Sequence, residues 1–209
     1  MSAEGGGRTT PEGGRRTTAE GSRRTTAESG RPTTAESGRR TTAGTDRLTA
    51  LMAGAVEACV RRVESGGVPF VGVLVAADGW VSDPGVNLVH ETGDPTAHAE
   101  VVALRQAARD RGSAALRGAT LLATGEPCAL CYRVADTHGI AAVRFAVDRD
   151  TAAAWGFDYR AGYAAEATDR LPLAAAARRL AVDGALAPFI RYFDLRRADA
   201  TLPSPPPTT

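Results

Sequence analysis

Four side chains in this sequence stand at spacings that could do chemistry together. Thr96-Ala97-His98-Ala99-Glu100 sets an imidazole and a carboxylate two residues apart, and Glu126-Pro127-Cys128-Ala129-Leu130-Cys131 sets two thiols three apart. Thiols at that spacing share one face of a helix. In a first turn the positive end of the helix dipole favours thiolate over thiol. Pro127 suits a helix start, because it has no N–H to leave unpaired. His98 and Glu100 diverge by about 200° around a helix axis. At a helix start, with Asp94 or Thr96 as the expected cap, both can still reach one centre that the helix end points at. Two thiolates and one imidazole form a soft donor set that selects Zn2+. Three protein ligands leave a fourth position open, as in catalytic and not structural zinc sites. Such a zinc lowers the pKa of water to about 7, and Glu100 is the group placed to carry the proton. Cys128 and Cys131 also fit a redox pair, but that reading leaves His98 and Glu100 without a role.

The elements that must position these groups are legible from periodicity. Leu48, Leu51, Met52, Ala55, Val56, Cys59, Val60 and Val63 recur at helical spacing behind Asp46 as N-cap, and Gly66-Gly67 stops that helix. Residues 70–76 read as a strand, Asp78-Gly79 as a hairpin turn, and residues 80–89 as a second strand broken near Pro84-Gly85. A helix is expected over residues 97–111, a buried strand over 119–124, a helix over 128–138 and a strand over 141–147. Residues 172–182 read as helical, and residues 187–195 fit a strand or a helix. The order implies one mixed sheet with helices on its faces. Cys59 reads as a buried small hydrophobe, and His90 and His138 as structural or surface residues.

Composition excludes several partners. Hydrophobic residues make up 43% and the net charge is +1, so overall charge gives no reason to expect nucleic acid or an acidic membrane surface. No apolar run approaches the ~20 residues that span a bilayer. The opening residues carry no apolar signal core, and three cysteines make no disulfide framework, so a cytoplasmic location is expected. Residues 1–45 repeat an Arg/Thr-rich octapeptide, seen in Arg15-Arg-Thr-Thr-Ala-Glu-Gly-Ser and Arg23-Arg-Thr-Thr-Ala-Glu-Ser-Gly. Stacking such units would bury nothing beyond Ala, so this segment is expected to be disordered, as is the Pro-rich tail 198–209. The domain is expected over residues 46–197.

His-x-Glu followed by Pro-Cys-x-x-Cys is the known signature of zinc deaminases. From about residue 47 to about residue 195 the chain resembles the cytidine-deaminase-like superfamily. Within it, Asp94-Pro-Thr-Ala-His-Ala-Glu-Val101 and Gly156-Phe157-Asp158 are similar to bacterial guanine deaminases and their nucleoside deaminase relatives. The resemblance implies a three-layer α/β/α sandwich around a central mixed sheet, with zinc at two helix N-termini. It implies hydrolytic removal of an exocyclic amine from a small aminated heterocycle, a purine-type base or nucleoside with guanine first. Asn87 would read a ring carbonyl or ribose, and Phe70 would pack against the base. The backbone N–H of Ala99 or Cys128 would face the attacking oxygen. Asn87 could equally order its own loop, Asp158 serve a turn, and Trp155 and Phe157 belong to the core. Guanine deaminases commonly read Gly-Phe-Asp-Asp, whereas Tyr159 follows Asp158 here and the later segment is longer and Ala-rich. A homodimer with a swapped C-terminal segment is expected by the same resemblance. A tRNA adenosine-to-inosine deaminase shares the catalytic residues but should carry a basic surface, which the near-neutral charge weighs against. A zinc-binding scaffold without catalysis is the other alternative, and it gives Glu100 no task.

Overall fold

A computed structural model describes residues 34–198, with side chains placed for 44–197. The periodic apolar residues form one face of helix α1 (Thr34–Glu64), where Met52, Ala55, Val56, Cys59 and Val63 are buried. Gly66, at φ +94°, ends it. The helix starts well before Asp46, which is therefore not its N-cap. Extending a helix whose later turns are fixed by packing costs far less than nucleating one. Residues 34–45, expected to be disordered, thus lie in its backbone, while the rest of the repeat and residues 199–209 fall outside the described residues.

The remaining strands and α-helices are β1 (Val71–Val75), β2 (Gly85–Val86), α2 (Val89–Thr92), α3 (Ala99–Arg111), β3 (Thr120–Gly125) and α4 (Ala129–Thr137). They continue as β4 (Ala142–Val147), α5 (Arg149–Ala154), α6 (Ala161–Ala165), α7 (Pro172–Ala175), β5 (Arg178–Arg179) and α8 (Ala187–Ala198). The sheet runs β2-β1-β3-β4-β5. β1 is antiparallel to β2 and β3, whereas β3–β4 and β4–β5 are parallel, so the sheet is mixed as expected. Its central strands are apolar on both faces because both are covered. Met52, Val56 and Cys59 of α1 meet Val71, Val73 and Leu122 on one face. On the other, Leu104 of α3 and Tyr132 of α4 meet Leu74, Leu121 and Val143. The α/β/α sandwich is the observed architecture. Among the described residues no helix is long and apolar enough to cross a membrane.

Two expectations change. The second strand shrinks to Gly85–Val86 plus a single bridge from Val81 to Val75. The Ser82 hydroxyl accepts from Leu74 N at 2.9 Å in place of a ladder partner, and Pro84 has no N–H to donate. The helix expected over 172–182 is only α7, and the chain then turns into β5. There the pairing of Arg178 and Arg179 with β4 overrides the helical propensity of the Ala-rich run. Of the two readings for 187–195 the helix is found, seated by Phe189 and Phe193 against Val147, Ala152 and Trp155.

Candidate metal and catalytic site

The site begins with two glycines. Gly72 and Gly85 are register partners on β1 and β2, and the first turn of α3 lies directly on them. A Cβ on Gly85 would stand 2.4 Å from Ala103 N and 2.5 Å from Ala99 O, and one on Gly72 would stand 3.0 Å from Glu100 Cα. At Gly85 only a residue without a side chain lets the helix backbone come this close, and at Gly72 a side chain would crowd it. This contact fixes the height of the helix end that carries His98 and Glu100.

His98 is itself the N-cap of α3, in extended conformation, and its side chain makes no capping bond. The expected caps do other work. The Asp94 carboxylate accepts from Thr96 N at 2.8 Å and from the Thr96 hydroxyl at 2.6 Å, closing the preceding turn, and Arg105 clasps its other oxygen at 2.8 Å. Likewise Cys128 is the N-cap of α4 and only Cys131 lies inside its first turn. Both cap side chains are free of cap duty and point at the space between the two helix ends. Cys128 Sγ is 3.3 Å from His98 Nδ1, Cys131 Sγ is 3.6 Å from the same nitrogen, and the sulfurs are 3.6 Å apart.

These separations fit a tetrahedral zinc. Bonds of about 2.3 Å to sulfur and about 2.0 Å to nitrogen give edges of about 3.8 Å between sulfurs and about 3.5 Å between nitrogen and sulfur. The three candidate donors all lie within 4.8 Å of one another. Cys128 carries the thiolate of the pair: donation from the Cys131 thiol, aided by His98, holds its pKa down at about 4. Cys131 is pushed the opposite way by that donation and by burial. The imidazole is pushed up by its bond to Cys128.

Glu100 is 5% exposed, and its Oε2 lies 3.3 Å from Cys131 Sγ. Burial, with the Cys128 thiolate nearby, pushes its pKa up to about 7. The cavity in front of this cluster is lined by Phe70, Asn87, Glu126 and Tyr159 in addition to His98, Glu100, Cys128 and Cys131. Phe70 stands edge-on to Phe157 and Phe189 at centroid distances of 5.1 and 5.7 Å. The Tyr159 hydroxyl donates to Glu126 O at 2.7 Å, so it presents its ring. Asn87 lines the cavity, and its Oδ1 accepts from Val89 N at 3.1 Å, which orders its own loop.

Two expected site residues are not brought to the cavity. Asp158 lies exposed and paired with Arg160 at 2.8 Å, which holds its carboxyl down at about 2. Ala99, the first residue of α3, is buried and does not line the cavity. Trp155 is buried against Phe193 and Phe157 packs behind Phe70, so both belong to the wall's support. Cys59 is a buried hydrophobe whose thiol burial pushes up to about 12. His90 and His138 lie outside the cavity. Sequence reasoning missed Glu126. Its carboxylate accepts from Arg149 N at 2.9 Å, tying the Pro127-Cys128 turn to α5, while burial pushes its pKa up. Its place one residue before Pro127-Cys128 was the available signal.

Residues 45–147 match the family model described as the cytidine and deoxycytidylate deaminase zinc-binding region. A guanine deaminase of Bacillus subtilis is 37% identical over 105 residues, 50% of this chain and 67% of that protein. The chain belongs to the cytidine and deoxycytidylate deaminase zinc-binding family. Zinc is accordingly its cofactor, and His98, Cys128 and Cys131 are positioned to bind it. A tRNA-specific adenosine deaminase of Aquifex aeolicus is also similar, 39% identical over 77 residues, covering 37% of this chain and 50% of that protein. The chain thus spans one half to two thirds of these curated relatives. The solved structure of the Bacillus subtilis guanine deaminase superposes with a TM-score of 0.51 at 29% identity, over 73% of this chain and 95% of that one. Relatives named for two different substrates are thus both similar to this chain.

Proposed function

We propose that the protein is a zinc-dependent hydrolytic deaminase of a purine-type base or nucleoside, guanine-like first. The observation that carries this is the buried Glu100 carboxylate beside the three-donor cluster. Neither a redox pair nor a structural zinc needs a desolvated carboxylate there. When bound, zinc supplies a nucleophilic hydroxide from water at neutral pH. Glu100 would carry one proton of the water to the ring nitrogen and the second to the departing amine, so C(=N)–NH2 would become C(=O)–NH and ammonia would leave. His98, Cys128 and Cys131 hold the ion. Phe70 and Tyr159 grip the faces of a flat ring, and Asn87 reads one of its edges.

Similarity to the Bacillus guanine deaminase favours guanine, while Tyr159 in place of a second acid widens the choice to other aminated rings. The test is ammonia release from guanine, guanosine, adenine and cytosine by the zinc-loaded chain. Turnover of a purine is expected, with loss of about 10²–10⁴-fold in Glu100→Ala at unchanged zinc content. No turnover of any purine, or an active Glu100→Ala, overturns the reading. Full zinc occupancy with no activity on a broad amine panel would mark a scaffold.

The Aquifex relative supports a second reading, a tRNA adenosine deaminase. Arg144 and Arg178 are register partners at the β4–β5 edge, where a polyanion could lie. Salt-sensitive binding of tRNA by the full chain would favour it. The family resemblance further supports a cytoplasmic homodimer. Within one chain α8 packs on its own α1, with Arg191 Nε 3.2 Å from Glu64 Oε1, and light scattering tests whether α8 also exchanges between copies.

A further inference from the structure

The loop that brings Asn87 to the cavity is held from behind by α1. Arg62, at the end of that helix with its side chain only 17% exposed, donates from Nη2 to Asn87 O at 3.0 Å and also to the Glu91 carboxylate. Its Nε is buried with no acceptor among the described residues. An unpaired buried donor costs stability, and an apolar side chain in the same space would avoid that cost. The guanidinium fits because it crosses Gly67, where a Cβ would stand 2.1 Å from Nε. The same loop joins the metal site, since Leu88 N donates to Ala97 O, one residue before His98, at 2.9 Å.

We propose that Arg62 is a positioning residue that fixes Asn87 in the cavity as a hydrogen-bond donor only. The Asn87 side chain has one acceptor and one NH2 group. Its Oδ1 is taken by Val89 N at 3.1 Å, and turning the amide over would set N–H against N–H. With Oδ1 turned to Val89 N and the backbone carbonyl pinned by Arg62, Nδ2, which makes no hydrogen bond among the described residues, is the donor left for a ligand. The site therefore selects heterocycles that present a ring nitrogen or oxygen acceptor on the edge facing Asn87, and discriminates against analogues that present a C–H or N–H there. This rests on the proposal above that the cavity takes the ring.

Two readouts on the zinc-loaded full chain separate the two proposals. The first is hydrogen exchange of residues 86–93 in Arg62→Met and Gly67→Ala, the latter displacing the guanidinium without removing its charge. Faster exchange in both, with Tm within about 3 °C of the parent, is expected. Unchanged exchange overturns the clamp whether or not any base is turned over. The second is a double-mutant cycle on the best base of the panel. Arg62→Met is expected to raise KM about tenfold with kcat nearly unchanged, Arg62→Lys to recover part of that loss, and Arg62→Met to do nothing further in an Asn87→Ala background. Equal losses with and without Asn87 would make Arg62 a general stabiliser and overturn the proposal. A parent chain that turns over no base, yet loses protection at 86–93 in both variants, keeps the clamp and removes the substrate reading.

Discussion

Behind His98 and Glu100 the backbone of α3 lies on the backbone of the sheet at Gly72 and Gly85, whereas Asn87 and Tyr159 are held at the rim by side chains. The inner half of the cavity is set by main-chain contact, with almost no freedom to shift. The outer half depends on one guanidinium, one phenol and a cluster of rings packed edge to face. Positions that hold reacting atoms are built into the core, while those that choose a ligand ride on contacts that a single substitution can alter.

The contrast can be broken from either side. The largest effect is expected at the metal donors. Cys131→Ser should cut zinc content by about tenfold or more and abolish activity, because a hard hydroxyl is a poor exchange for a thiolate. Zinc per chain by elemental analysis checks this, and a fully loaded, active variant would dissolve the assignment of the inner half. Next comes Gly85→Ala, whose methyl has no room against Ala103 N. Overpacking of this kind costs about 1–3 kcal/mol, read as a lower midpoint in urea, and should weaken zinc binding as α3 lifts. If stability falls but zinc affinity holds, the glycine contact does not position the site.

Rim substitutions should do less. Tyr159→Phe removes the bond to Glu126 O and should raise KM by about fivefold with little change in kcat or midpoint. Asp158→Asn, exposed and clasped only by Arg160, should change kcat/KM by less than about twofold, and a larger loss would return Asp158 to the site. The smallest effect is expected at Asp94. Its bonds to Thr96 and Arg105 lower its carboxyl from the ordinary range near 4 to about 2. A lowered folded-state pKa stabilises above the unfolded value, and that contribution is lost as pH falls from about 4 through about 2. Asp94→Asn should therefore flatten the acid end of the unfolding curve over that window and leave neutral pH nearly unmoved. The pair is exposed, so added salt should erase the difference.

The division also explains what could be read in advance. The donors, Glu100 and the layered sheet follow from local patterns: thiol spacing, a proline at a helix start, and apolar periodicity over α1, β1 and β3. Where pairing across distant segments decides, local pattern misleads. Residues 172–182 favour a helix by composition, yet two of them complete the sheet edge. Asp158 could not be placed by spacing, because an arginine two residues on draws it to the surface. Arg62 left no local signal at all, since the loop it holds lies 25 positions downstream. Asp46 failed as a cap because the helix behind it continues once its packed turns are formed.

The back-to-back glycines have a practical corollary for redirecting this scaffold. Since a side chain has no room at 85 and is crowded at 72, those codons belong among the fixed positions of any library. Diversity is better placed at Phe70, Asn87 and Tyr159, which line the cavity without being metal donors, so that new ring preferences can be screened without re-selecting for metal loading.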